Sequence, residues 1–383
     1  MSEAPDTQQV KSPSLDPMAA NGNGAGTASG VATPASPEGG SGESQTGSKA
    51  TKAGKRSPLY WILRVLRFES TSVLLATLAL GAVIGILHPE FLSGSQIRDV
   101  LQQSVYVAII AGGMAFLIAM REIDLSAGSV FGLTLIIAAL FMQGGMNPYL
   151  ACAIAAVLSG CMGLINAVLV QAIKIPAIVA TLATLAMFRG LALALSNGEQ
   201  VNHLPINSSF FTFFGGNKLG LPVSVWVLIV VAIVLTALLR LTPFGHRVRA
   251  IGSNPEAASF SGISIPRVRI QALVLMGLLG GIAGILGLAF FASGEPNIGS
   301  GFELQAIAAA IIGGTSLAGG SATVIGAMIG AVLLTEVSAG LVYFNVPQNW
   351  SSFATGAVIL AAVALDSIVR RRGKGRAAGG LGL

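Results

Sequence analysis

Residues 149–172 read YLACAIAAVLSGCMGLINAVLVQA, 24 positions without one charged side chain. A helix needs about 20 apolar residues to cross roughly 30 Å of hydrocarbon. In lipid no water pairs with free backbone N–H and C=O groups, so a run of this length without strict alternation predicts a membrane-crossing helix rather than a barrel strand. Cys152 and Cys161 lie nine positions apart within it. There they read as small hydrophobes, with no disulfide or metal framework implied.

Working outward, similar apolar runs recur from Val73 to Val369. They predict about ten spans near 73–88, 104–120, 126–142, 149–172, 176–196, 222–240, 270–292, 303–318, 321–342 and 351–369. The fold class expected is all-α, a polytopic transmembrane helical bundle. The eighth span is open to a second reading, because the pairs Gly313-Gly314 and Gly319-Gly320 also suit a broken or re-entrant helix shielded by protein. Composition agrees with burial in lipid: 53% of the chain is hydrophobic and 10% charged, against roughly a quarter charged in soluble domains.

Residues 1–57 are rich in Gly, Ser, Ala, Thr and Pro and nearly devoid of large apolar side chains. Such a segment cannot bury enough apolar surface to offset its ordering entropy, so it is expected to be a disordered tail, retained and cytoplasmic. A basic amphipathic stretch (Lys52, Lys55, Arg56, Arg64, Arg67) leads into the transmembrane body at 58–369, and a basic cytoplasmic tail follows at 370–383. With the N-terminus inside, 19 of the 22 Lys and Arg fall in cytoplasmic segments. Arg98 and Lys218 fall outside and Arg189 within the fifth span. That asymmetry follows the positive-inside rule and places both termini in the cytoplasm. It also accounts for the net charge of +6 without nucleic acid.

The longest polar interruption between late spans, Arg240 to Arg269, contains GSNPEAASFSGI at 252–263. Asn254 can cap a short helix, Pro255 suits its first turn, Glu256 favours the positive end of its dipole and Gly262 suits its stop. Such a helix on the cytoplasmic face is either an ordinary amphipathic loop helix or a lever for a soluble partner. Asp124 and Ser126 precede the small residues Ala127, Gly128 and Ser129 at another helix start, where they can cap free N–H groups or line a path for a hydroxyl-rich solute. Arg189 inside a span needs a partner or a wet cavity, unless it snorkels to an interface, and the same logic covers Glu336. Asn166 suits interhelical hydrogen bonding or solute contact. Glycines such as 277, 281, 284, 326 and 330 read as helix-packing positions.

Glu256-Ala257-Ala258 followed by Gly262 resembles the Glu-Ala-Ala loop of ABC importer permeases. Further blocks resemble the ribose/xylose/arabinose-type sugar permeases. These are Ile123 to Ser129, Gly163 to Asn166, Ile175 to Leu182 with Phe188-Arg189-Gly190, and Glu303 to Ala309 leading into Ile312 to Gly320. The match runs from about Leu59 to Val369, in order. One departure is the charged pair Arg121-Glu122 where relatives carry small residues; a solvated interfacial pair is expected there.

The resemblance implies a permease subunit of the bacterial inner membrane, not itself an enzyme and without a cofactor. Its expected partners are ATP-binding cassette ATPase subunits, an extracytoplasmic sugar-binding protein and a second permease chain, identical or not. Asn254, Glu256, Ala257, Ala258 and Gly262 would form the ATPase-coupling loop. Asp124, Ser126, Asn166, Arg189, Thr315 and Ser316 are candidates for the translocation path. A monosaccharide is the expected cargo; nucleosides, autoinducer sugars and branched-chain amino acids are alternatives. An ion-coupled carrier is a further class, with Glu336 its one plausible mid-membrane carboxylate. Gly42 to Gly47 with Ser48-Lys49 carries the last two residues in the wrong order for a phosphate cradle. His88, His203 and His246 lie in separate loops, which argues against a zinc site or a nucleophilic triad.

Overall fold

The stretch at 149–172 is helical, with both ends marked by specific residues. Helix α4 covers Pro148–Ile173 in the computed structural model. Asn147 caps it, Oδ1 accepting from Tyr149 N at 3.0 Å and Leu150 N at 3.4 Å, and Pro148 occupies the first turn. Lys174 ends it at φ +58, with Pro176 just beyond. The structure describes residues 69–347 together with 350, 353, 354, 356, 357 and 360. The expected tail at 1–57, the basic stretch at 52–67, most of the tenth span and the basic end at 370–383 lie outside the described residues.

A helix stands at each of the first nine expected spans. In chain order they begin with α1 (Glu69–Leu87), α2 (Gly94–Ala119), α3 (Ala127–Gln143), α4 and α5 (Ala177–Leu195). After a short α6 (Ser209–Phe214) come α7 (Val223–Leu241), α8 (Pro243–Ser253), α9 (Pro255–Phe260), α10 (Ile265–Phe291), α11 (Phe302–Ile312) and α12 (Val324–Tyr343). Of these, α2, α4, α5, α7, α10 and α12 are long and apolar enough to cross a membrane, whereas 71–87, α3 and α11 are shorter. Between α6 and α7, Asn217–Lys218 and Leu221–Pro222 pair as a small antiparallel hairpin, which the all-α expectation did not include.

Helix α2 begins ten residues before the expected 104 because the polar groups of its first turns find partners. Ser93 Oγ accepts from Gln96 N at 3.3 Å, Gln102 Nε2 donates to Tyr106 OH at 2.6 Å, and Ser224 Oγ donates to Gln102 Oε1 at 2.5 Å. Hydropathy alone misses such turns; pairing makes their burial tolerable. From Ser104 to Met120 every residue of α2 and its end is buried, with α7, α8, α10, α11 and α12 packed around it. A helix apolar on all sides belongs at the centre of a bundle. Helix α5 instead buries one stripe (Ala177, Ala180, Thr181, Thr184, Phe188, Ala192) and exposes Ile178, Leu182, Met187 and Leu191. The backbones of α4 and α10 touch where a Cβ on Gly277 would lie 2.4 Å from Ser159 O and one on Gly163 2.3 Å from Leu273 O. Gly277 therefore serves close helix packing, as its spacing predicts.

The eighth span is broken. Helix α11 has 11 residues, about 16 Å against a core of roughly 30 Å. Ahead of it the chain runs along α3 without helical structure, Gly294 against Ala139 and Gly299 against Gly128 and Phe131. Beyond it, Gly313 and Ala309 pack on Gly326 and Gly330 of α12. The loop 313–323 then reaches the end of α2, where Gly320 N donates to Ala119 O at 2.9 Å. Three glycines in that loop decide this: Gly314, Gly319 and Gly320 adopt φ of +95, +81 and +82, which L side chains resist.

Candidate functional site

Thr242 starts the polar interruption after α7: its Oγ1 accepts from Gly245 N at 3.3 Å and caps α8, with Pro243 in the first turn. Asn254 is extended (φ −153, ψ 102) and serves two helices. Its N–H donates to Ala250 O at 3.1 Å, closing α8, and its Oδ1 accepts from Ala257 N at 3.1 Å, opening α9. Glu256 lies in the first turn of α9, and Gly262 at φ +80 follows its end. The capping and stop read from 252–263 are thus present; the preceding helix α8 was not anticipated. Glu256 and Ala257 are exposed and Ala258 is buried, so α9 turns one face inward. Phe260 beside them is 93% exposed. Sequence reasoning passed over Phe260, although an aromatic in a short charged loop was a legible signal.

The inner side of this pair is fixed to the membrane body without slack. A Cβ on Gly252 would lie 1.6 Å from Ala119 O and 2.5 Å from Gly320 N. Arg121 Nε donates to Gly252 O at 2.8 Å and its Nη2 to Ser253 O at 3.1 Å, holding the last carbonyls of α8. Arg121 does so from φ +66, an uncommon conformation for a non-glycine residue, which persists only where surroundings over-determine it. Glu122 pairs with Arg269 on α10, the two side chains 11% and 30% exposed. Burial pushes the Glu122 carboxyl above its ordinary range, and Arg269 partly offsets that. The expectation of a solvated interfacial pair is therefore corrected: both charges are tied to other elements.

Three of the path candidates meet in one buried network where α3 begins. Asp124, Ser126 and Asn166 are 1%, 0% and 0% exposed. Ser126 donates to Asp124 Oδ1 from both N and Oγ at 2.7 Å, and Asn166 Nδ2 donates to Ser126 Oγ at 2.7 Å. Thr181 of α5 joins them, its Oγ1 accepting from Leu125 N at 3.0 Å. Asn166 Oδ1 has no partner. Asp124 caps the turn through Ser126 N while α4 and α5 close over it.

Arg189 of α5 stands apart, its side chain against the non-helical stretch ahead of α11. Its Nη1 donates to Pro296 O at 3.0 Å and Ile298 O at 3.3 Å. Carbonyls outside a helix lack the internal partners a helix supplies and are satisfied by such donors. Glu303, close by in charge terms, accepts from Gly301 N at 3.2 Å, faces Gly128 and leaves Oε2 unpartnered. It was quoted in a motif but not singled out, although a carboxylate entering an apolar run carries the same signal as Arg189. Thr315 and Ser316 occupy a third place, the loop 313–323, where Thr323 N donates to Thr315 Oγ1 at 3.4 Å and Ser316 N to Ser321 O at 3.2 Å. The six candidates therefore form three sites rather than one cavity. Among the described residues no group of three or more His, Cys, Asp or Glu could hold a metal.

The family model described as branched-chain amino acid transport system / permease component matches residues 96–363. The ribose import permease protein of Escherichia coli strain K12 is 36% identical over 296 residues, 77% of this chain and 92% of that protein. Its namesake from Bacillus subtilis strain 168 is 37% identical over 284 residues, 74% of this chain and 88% of that protein. An L-arabinose ABC transporter permease protein of Azospirillum brasilense is 33% identical over 302 residues, 79% and 88% of the two chains. No solved structure matches. The matched region takes in the capped α8–α9 pair, the Asp124 network and the broken crossing, and the chain belongs to this family of transport-system permease components.

Proposed function

We propose that this chain is the membrane-spanning subunit of an ATP-driven importer of the bacterial inner membrane, carrying a monosaccharide of the ribose or arabinose kind. The observation that carries the reading is the doubly capped α8–α9 pair, with Glu256 and Phe260 presented outward and Gly252 set against the end of α2. ATPase subunits dock on that pair and supply the hydrolysis; the permease itself is not an enzyme. Two permease chains enclose the pathway. An extracytoplasmic binding protein delivers the sugar to the outer loops around 197–220 and 293–302, which the bridge between Val201 and Gly294 ties together.

Contacts support the orientation. One set joins Gln143 with Asn202, Tyr149 with Ser209 and His88 with Phe344. The other joins Gln171 with Pro266, Arg121 with Gly252 and Gly320 with Ala119. Taking the stretch that ends with α11 as one broken crossing, successive described helices alternate between these two faces, as ten spans with both termini inside require; most of the tenth lies outside the described residues. The body spans 58–369 between tails at 1–57 and 370–383. Arg189 borders the pathway through the 296–298 backbone, the Asp124, Ser126 and Asn166 network braces it, and Thr315 and Ser316 sit where the docking movement enters the membrane.

A second reading, an ion-driven carrier, rests on Glu336 of α12, which is 7% exposed with Oε2 unpartnered. Vesicles carrying the chain with and without its ATPase subunits separate the two. Sugar uptake that requires ATP and the ATPase is the expected result; uptake driven by an ion gradient alone would overturn it.

A further inference from the structure

We propose that the inner half of α7 carries a binding site for an anionic phospholipid of the cytoplasmic leaflet, distinct from the coupling and pathway sites. A groove of about 480 Å³ is lined by Ile229, Ile233, Thr236, Arg240 and Leu241 with Ile325 from the start of α12. On α7 these residues recur at helical spacing and form one stripe. The lining is apolar apart from Thr236 and Arg240. Ile233 is 65% exposed and Ile325 47%, so the groove opens sideways to the surface.

Length and charge together name the occupant. From Ile229 to Arg240 the stripe rises about 16 Å, close to the roughly 15 Å depth of one leaflet's hydrocarbon. One acyl chain lies along it with its carboxyl end toward Arg240. That guanidinium forms no ion pair and no hydrogen bond among the described residues. It stands in the last turn of α7, on the face that carries Arg121, Arg247 and Arg269. A phosphodiester is the group that a lone guanidinium at this level attracts, and basic pockets on the cytoplasmic side take anionic headgroups.

Free phosphate lacks the chain that would fill the groove.

Native mass spectrometry of the purified full-length chain in detergent tests this. Dioleoyl phosphatidylglycerol, dioleoyl phosphatidylcholine and inorganic phosphate are added in separate titrations. One phosphatidylglycerol per chain is expected to be retained about fivefold more tightly than phosphatidylcholine, with no retention of inorganic phosphate. Arg240→Gln should erase that preference, and Ile233→Trp, on an exposed face that leaves the fold intact, should block the groove to both lipids. Equal retention of the two lipids by the unaltered chain would overturn the site. Phosphatidylglycerol retention unchanged in both variants would do so too, as would Ile233→Trp altering only the oligomeric state, which would assign the groove to a second copy.

Discussion

Gly252→Ala tests the junction between the α8–α9 pair and the membrane body. The added Cβ would lie 1.6 Å from Ala119 O. Ordinary contact begins near 3.4 Å, so α8 must retreat by about 1.8 Å, because both obstructing groups are backbone. A retreat of that size carries the 2.8 Å bond from Arg121 to Gly252 O beyond hydrogen-bond length. That bond, although charge-assisted, contributes about 1 kcal/mol because Arg121 is exposed. Overpacking adds about 1–3 kcal/mol, for a local total of about 2–4 kcal/mol. Hydrogen exchange of the chain with its ATPase subunits reads this directly. Amides in 243–263 should exchange more than about twentyfold faster, at roughly tenfold per 1.4 kcal/mol. The number of sugars moved per ATP hydrolysed should fall while α2 and α10 stay protected. Unchanged exchange in 243–263 together with normal coupling would refute the rigid junction.

Glu256→Lys should weaken retention of the ATPase subunits in pull-down while the spans stay folded; full complex and full transport in that variant would remove the docking role. Arg189→Leu strips the donor from Pro296 O and Ile298 O, each worth about 1–3 kcal/mol. Uptake should drop at least tenfold with membrane insertion retained, and Arg189→Lys should restore part of it. Ser126→Ala removes the hydroxyl that donates to Asp124 and accepts from Asn166, a loss of about 1–3 kcal/mol. Thermal denaturation in detergent should show a lowered midpoint, and an unmoved midpoint would deny the network its bracing role. Glu122→Arg or Arg269→Glu alone should destabilise the chain and the double exchange should recover much of it; full additivity of the two would show that the pair is not coupled.

Hydropathy was enough to find a helix at each of the first nine expected spans, though not α8, since lipid demands long apolar helices and the side chains that meet it declare themselves along the chain. Local chemistry was equally legible around Asn254 and Gly262, because capping depends on neighbours within four residues. The sequence could not reveal that Arg121 and Glu122 are partnered, as their partners lie 131 and 147 positions away. Nor could periodicity show that α11 stops after 11 residues. The glycines allowed a break, but packing of Gly313 on Gly326 and the pairing of Gly320 with Ala119 are long-range events that fixed it. The path candidates divide in the same way: each was visible as a polar group in an apolar run, whereas their separation into three places was not. By itself the sequence determined a polytopic helical membrane protein with a capped polar loop at 252–263, because solvation and capping act on each segment alone. Only the tertiary structure decided which backbone atoms that loop rests on, because contact between distant segments depends on how the helices pack.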